Sequence, residues 1–534
     1  IIRHGGQGIT PFIVGDATTN GTAGAMTTGN FLPIQTISPT QAFLNTHTQE
    51  RIQIISVPGQ TLPPPPTLPI GSNRPDTIPQ NTLANLVGDI VGADTAINPD
   101  PFGDTSGYQW TLEEGSLDTG LINLQNLLAQ GNLNAAVSQI DEVFEEEYEE
   151  YLGEELPNET VTMEGIRTVL KTISNETRTQ PAIVYALSMP KQLELVLVLP
   201  DGSPIRKVVP EANAEALKEA LNEYRRTITN ATTSTRQYLP PAQKLYQWLI
   251  APIEPHLEAL GIDTLIFCMD AGLRVIPMAA LHDGQQFLIE KYSLGTIPSI
   301  SLTNSRYQSV QEAEVLGLGA STFEQQSPLP AVPVELEIVT QKLGSGKSFL
   351  NEEFTLNNLK SQRQPFGIIH LATHADFQPG DASNSYIQLW DSQLKINQLR
   401  QMGWHEPPQV ELLVLSACRT AVGDIDVELG FGGLAVQAGV KSALASLWYV
   451  SDGGTLALMS KFYQQLNQPD ITIKAEALRQ AQIAMLRGEL RVEEGNLRGF
   501  GNRGSISLPD ELPKYKDFSH PYYWAAFKMI GSPW

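Results

Sequence analysis

The strongest constraint on this chain is a series of short, almost wholly apolar runs in its last two-thirds. They fall at 264–269, 315–319, 367–372, 412–416, 443–448 and 524–530. Amphipathic stretches at 212–228 and 242–260 precede them, and helical segments lie between them. A strand apolar on both sides of its pleat must be buried on both faces, the environment of a parallel sheet covered by helices. The pattern predicts an α/β fold. Apolar runs at 182–187 and 193–199, flanking a turn at Pro190-Lys191, open the region.

Upstream the composition changes. The chain has 534 residues, enough for about three domains. Residues 1–60 are rich in Gly, Thr, Asn and Gln and read as short strands between turns. Residues 61–106, with Pro63-Pro64-Pro65-Pro66, read as a linker or a strap. From 107 to 180 the period becomes helical. Leu121, Leu124, Leu127 and Leu128 form one stripe, and Val137, Ile140, Val143 and Phe144 another. Gly131-Asn132 turns the chain between them, so a helical hairpin is expected. The acidic run Glu145–Glu150 is expected to be a solvated helix face rather than a cation or partner site.

The formal net charge is −23, from 35 basic and 58 acidic residues, which argues against a nucleic-acid or membrane-surface binder. No apolar run approaches the ~20 residues of a membrane span. Two cysteines, Cys268 and Cys418, exclude a disulfide scaffold and a Cys-ligated zinc module. Neither a metal nor a cofactor is expected. The chain begins at Ile1 without Met, which reads as a fragment or a processed product. Gly344-Ser345-Gly346-Lys347-Ser348 imitates a phosphate loop, but Gln341 stands where the pattern needs Gly, and a helical stretch precedes it. Asp424, Asp426 and Glu428 lack the rest of a calcium-loop pattern and are expected in a loop beside the site. Gly430, Gly432 and Gly433 are expected in a flexible loop.

Two runs end in reactive residues. Ile368-Ile369-His370-Leu371-Ala372 continues into Thr373-His374-Ala375-Asp376, and Leu412-Leu413-Val414-Leu415 into Ser416-Ala417-Cys418-Arg419. Sites in open α/β sheets form beyond the carboxyl ends of strands. His374 and Cys418 are therefore expected at one rim. There an imidazole would both deprotonate a thiol and stabilise its thiolate. Cys418 follows His374 by 44 residues, close to the roughly 50-residue His-then-Cys spacing of caspases. A lone Cys or His at such a place is more often structural; the joint placement favours a dyad. Cys268, with no His at an equivalent point, reads as core. His370 lies four before His374, on the same side of an ideal strand, and is expected to support it.

Residues 180–534 resemble a CHAT domain, a caspase-like peptidase domain. The resemblance rests on Gly272-Leu273-Arg274-Val275-Ile276-Pro277-Met278-Ala279-Ala280-Leu281-His282-Asp283-Gly284, Thr373-His374, Leu415-Ser416-Ala417-Cys418-Arg419-Thr420-Ala421, Ser446-Leu447-Trp448 and His520-Pro521-Tyr522-Tyr523-Trp524-Ala525-Ala526-Phe527. It implies a three-layer sandwich on a mostly parallel sheet, with an inactive caspase-like half over 181–312 and an active half over 313–534. It also implies His374 as base, Cys418 as nucleophile and backbone N–H groups of Ala375 and Cys418 as the oxyanion hole. The family usually has Gly where Ala375 stands; Ala keeps the N–H but not the freedom for positive φ. Separase relatives imply an acidic pocket for a basic substrate residue, with Asp452 as its floor and Asp376 on the other wall; Asp452 could instead cap a helix starting near 454. Residues 1–60 are similar, mostly in composition, to the ends of large secreted hemagglutinin-like adhesins of cyanobacteria.

The expectation is thus a cysteine endopeptidase acting on protein or peptide substrates, secreted or at a cell surface, with cytoplasmic residence as the alternative. The rival reading is a non-enzymatic scaffold or adhesin subunit. In either case the N-terminal segment could self-associate.

Overall fold

The computed structural model describes residues 119–534 apart from 154, 157–160, 363–365, 421–424 and 502–503. The side chains at 119, 121, 417–420 and 425–426 are also outside the description. Ahead of residue 119 it describes only the backbone of short strands, in which Ile52–Val57 pairs with Ile2–Gly5 and His47–Gln49. The Pro-rich stretch 61–106 lies outside the described residues. The chain divides into two compact units, Ile1–Leu86 and Val87–Trp534.

The second unit is built on one sheet. Its strands are β1 (Pro181–Met189), β2 (Gln192–Val198), β3 (Ile205–Val209), β4 (Thr264–Met269), β5 (Ser293–Ile297), β6 (Val315–Gly319), β7 (Gly346–Leu350), β8 (Ile368–Phe377), β9 (Leu412–Thr420), β10 (Ser442–Ser446) and β11 (Phe527–Gly531). They lie in the order β3-β2-β1-β4-β5-β11-β10-β9-β8-β6-β7. The last strand, β11, joins the two halves. It runs parallel to β5 and antiparallel to β10, so the parallel set of the second half runs opposite to that of the first.

Alternation along β1 explains the layers. Ala182, Val184 and Ala186 belong to one buried cluster with residues of α4 (Ala214–Ile228) and α5 (Thr235–Leu249). Ile183, Tyr185 and Leu187 belong to another with α1 (Thr119–Ala129), α2 (Leu133–Leu152) and α3 (Met163–Thr177). Successive side chains of a strand point to opposite faces, so this apolar run is sandwiched by helices on both sides. The expected hairpin is α1–α2, turned by Gly131 at φ +71°, with Asn132 capping α2 through the Ala135 N–H. Cys268 is fully buried, its thiol donates to the Pro298 carbonyl at 3.3 Å, and burial pushes its pKa well up.

Several expectations need correction. The stretch 242–260 is two helices, α5 and Glu254–Ala259, interrupted near Pro252. The run at 524–530 begins as a helical turn, Pro521–Trp524, before β11. The Gly344–Ser348 segment, already set aside as a phosphate loop, leads into the edge strand β7, whose strand character was not foreseen. The acidic run is not simply a solvated face. Glu147 pairs with the buried Arg274, whose guanidinium lies 5.3 Å from the Phe144 ring and 5.4 Å from the Tyr148 ring, and Glu149 accepts from the Leu156 N–H at 2.7 Å. On the same helix the buried Asp141 accepts from the N–H groups of Ile300 and Ser301 at 2.6 and 3.0 Å.

The glycine cluster is not a flexible loop. Gly430 and Gly432 end a helix, Ile425–Gly432, and are buried beside α2. A Cβ on Gly432 would stand 2.7 Å from Tyr148 Oη, and one on Gly433 2.8 Å from Tyr148 Cε1. Glycine is thus required by close approach, not by turn geometry. Of the acidic group, Asp424 and the Asp426 side chain lie outside the description. Glu428 is fully buried on that helix, accepts from the Gly272 N–H at 2.5 Å and faces Arg225 at 3.7 Å. Overpacking a tight contact typically costs about 1–3 kcal/mol. Gly432→Ala should therefore lower the thermal midpoint. Tyr148→Phe should restore most of the loss in the double variant, because the remaining neighbours of that Cβ are 3.9 Å away. A double-mutant cycle by thermal unfolding checks this; strictly additive effects would refute the contact.

Candidate active site

Strands β8 and β9 are parallel neighbours, and their ladder continues past the apolar runs to Phe377 and Thr420. His374 is level with Ala417, and Ala375 with Cys418. The two residues singled out from the sequence therefore stand one register step apart at the same end of adjacent strands. The Cys418 side chain lies outside the described ones. Between Leu371 and His374 the register shifts by one residue, a bulge in β8. That extra residue breaks the simple alternation, so His370 does not support His374. It is fully buried, with Nε2 donating to Glu335 at 2.8 Å and Nδ1 3.1 Å from the Tyr463 hydroxyl.

His374 is held on three sides. Its Nε2 donates to the Ser327 carbonyl at 2.8 Å, which fixes the tautomer and leaves Nδ1 as the proton acceptor. The Phe323 ring lies 4.7 Å from the imidazole, and Tyr449 stacks at 6.2 Å and 28°. Burial among these groups pulls the imidazole pKa below 6.5, opposed by the Ser327 bond and the Asp376 charge. Tyr449 is itself held by the Tyr522 hydroxyl, which donates to its carbonyl at 2.8 Å, and Trp448 Nε1 donates to the Tyr522 carbonyl at 3.1 Å. Segments 446–448 and 520–527 thus meet behind the base. Ser327, Phe323 and Tyr449 were not found from the sequence. A backbone carbonyl has no side-chain signature, and an aromatic next to Ser446-Leu447-Trp448 reads as core.

The other expected site residues are placed as follows. Ala375 is buried and paired on both sides, with Cys418 in β9 and with Ile387 of the short strand Tyr386–Gln388. Its φ is not in the positive range. A strand's N–H points in the plane of the sheet toward a neighbour, so an oxyanion at Ala375 requires this pairing to open. Asp376 is half-buried and accepts from Gln378 Nε2 at 2.8 Å. Asp452 is the first residue of the helix Asp452–Leu466, but the cap is Ser451, whose Oγ accepts from the Gly454 N–H. The Asp452 Oδ2 instead accepts from the Ala331 N–H at 2.6 Å. Among the described residues no cluster of metal-ligating side chains occurs and no helix is long and apolar enough to cross a membrane.

The fold favours the neutral form of His374, so the ring stays neutral as pH falls past 6.5. The native state thereby loses stability only as the pH drops below that of the free imidazole. In Cys418→Ala, where no thiolate charge acts on the imidazole, NMR titration should give a His374 midpoint below 6.5, moving upward when Phe323→Ala is added and solvent reaches the ring. A midpoint at or above 6.5 in Cys418→Ala would contradict the burial argument.

The CHAT domain family matches residues 239–532, more than half of the chain. Among solved structures, the separase–securin complex of Saccharomyces cerevisiae aligns with a TM-score of 0.43 and 9% identity, over 76% of this chain and 34% of that one. The complex of pro- and mature domains of Porphyromonas gingivalis RgpB aligns with a TM-score of 0.33 and 9% identity, over 60% and 76%. This chain spans about a third of the separase chain it matches. No curated protein matches it. By the extent of the family match and the placement of its segments, this chain belongs to the CHAT domain family.

Proposed function

We propose that the chain is a cysteine endopeptidase with His374 as base and Cys418 as nucleophile. The observation that carries this reading is the held imidazole. Its Nε2 is committed to the Ser327 carbonyl, and its Nδ1 remains to exchange a proton at the strand end next to Cys418. In the reaction Nδ1 takes the thiol proton as Sγ attacks the scissile carbonyl. The imidazolium then protonates the leaving amine, and water deacylates the thioester with His374 again as base. N–H groups of Ala375 and Cys418 would hold the oxyanion. Two conditions follow. The ladder must open at Ala375. Adjacent register positions of an ideal pleat also face opposite ways, so β9 must leave the ideal pleat at Cys418.

A basic residue before the cleaved bond is the specificity this reading carries. Asp376, beside the base, is the stronger receiver for a guanidinium: its hydrogen bond among the described residues comes from the exposed Gln378 side chain, which a substrate can displace, whereas Asp452 holds a backbone N–H of the 320–331 loop. The non-enzymatic scaffold keeps one observation in its favour, the two-sided pairing of Ala375.

Cleavage of a peptide library by the purified chain separates the two readings. Cleavage after Arg or Lys is expected, with Cys418→Ala reducing it to background and His374→Ala by about 10²–10⁴-fold. Asp376→Asn should weaken the basic preference. No cleavage, or cleavage that survives Cys418→Ala, would reject the peptidase.

A further inference from the structure

The residue behind His374 is a backbone carbonyl on a surface loop, so something must keep that loop in place. Residues 320–331 connect β6 to a short helix, Val332–Glu337. The loop brings both the Ser327 carbonyl and the Phe323 ring to the imidazole. Ser327 itself is exposed, and Pro328 and Pro330 beside it stiffen the chain without supplying a donor.

The loop is tied at both ends. At its start the Ala320 N–H donates to the Ala372 carbonyl at 3.1 Å, and the Ser321 N–H and Oγ lie 2.9 and 3.2 Å from Asn351 Oδ1. The Leu329 N–H donates to the Ser321 carbonyl at 2.9 Å and closes the loop on itself. At its end the Ala331 N–H donates to Asp452 Oδ2 at 2.6 Å. Asn351 holds its amide there from a backbone φ of +52°, a region that non-glycine residues seldom adopt and that costs energy. Asp452 is not needed as a helix cap, since Ser451 fills that role. Its charge is favoured at the helix N-terminus, and its bond to Ala331 is charge-assisted.

We propose that Asp452 and Asn351 are positioning residues for His374: they clamp the 320–331 loop so that the Ser327 carbonyl locks the imidazole in its Nε2–H tautomer. This rests on the reading of His374 as the base, and it gives Asp452 a task other than receiving a substrate side chain. Release of either clamp lets the carbonyl move away. The ring then exchanges between tautomers, and Nδ1 is no longer reserved for the thiol proton. Misplacement of a catalytic group by ~1 Å can cost about 10²-fold in rate, so kcat should fall by roughly 10- to 100-fold with KM little changed.

The test uses the full chain with ¹⁵N-labelled histidine, the His374 signals being those lost in His374→Ala. The unaltered chain should show a single Nε2–H tautomer. Asp452→Ala should give a mixture, and Asp452→Asn, whose amide oxygen can still accept from Ala331, should keep most of the lock. Asn351→Gly preserves the positive-φ backbone and removes only the amide; it too should give a mixture, and it serves if Asp452→Ala does not fold. With a cleavable peptide, Asp452→Ala should lower kcat without changing the residue preferred before the cut. A locked tautomer in both Asp452→Ala and Asn351→Gly overturns the proposal. A changed preference with the tautomer intact makes Asp452 a pocket residue. If the tautomer responds while the unaltered chain cleaves nothing, the clamp stands and the peptidase reading fails.

Discussion

The candidate site depends on the parallel ladder between Ile368–Phe377 and Leu412–Thr420. The ladder puts a histidine and a cysteine at the same end of adjacent strands. It is anchored by apolar burial on both faces, and its reactive ends carry the polar groups. The bulge between Leu371 and His374 separates two tasks within one strand. His370 is consumed in a buried bond with Glu335, while His374 is turned to groups that can hold an exchanging proton.

A second constraint is the buried charge network that ties the helices and the two halves of the sheet together. Arg274 pairs with Glu147, Glu428 faces Arg225 and accepts from Gly272, and Lys528 Nζ donates to the Arg274 carbonyl at 2.6 Å. Burial pushes the Lys528 pKa down to about 7. Removing one partner of such a network leaves the other charge buried, which typically costs about 3–5 kcal/mol. The segment Gly272-Leu273-Arg274 is therefore structural. It carries the helix Ile425–Gly432, just beyond Cys418, against α2.

Much of this was legible in the sequence, for physical reasons. Doubly buried strands need unbroken apolar runs, so eight of the eleven strands β1–β11 could be read directly, with His374 and Cys418 visible as reactive types at two of their ends. Ile205–Val209, Ser293–Ile297 and Gly346–Leu350, whose runs are broken by charged, polar or glycine residues, were missed. The helical hairpin was visible in its leucine period and in Gly131-Asn132. What could not be read depends on contacts between distant residues. Gly430, Gly432 and Gly433 look like a loop unless Tyr148 is known to press on them. Ala372-Thr373 carries no sign of a bulge. Glu147 looks solvated until Arg274 arrives, and the partner of His374 is a main-chain oxygen. Asp452 was noticed for its charge, but its direction toward Ala331 is a matter of packing.

The account's central claim is that His374 activates Cys418. The most direct measurement is the pH dependence of alkylation of the native chain by iodoacetamide, read site by site by mass spectrometry. Cys268, buried and with its pKa raised, should remain unmodified. Cys418 should react through a thiolate formed well below the ordinary thiol pKa of about 8.5, and His374→Ala should move that profile back toward the ordinary value. A Cys418 profile centred near 8.5 and indifferent to His374→Ala would contradict the account.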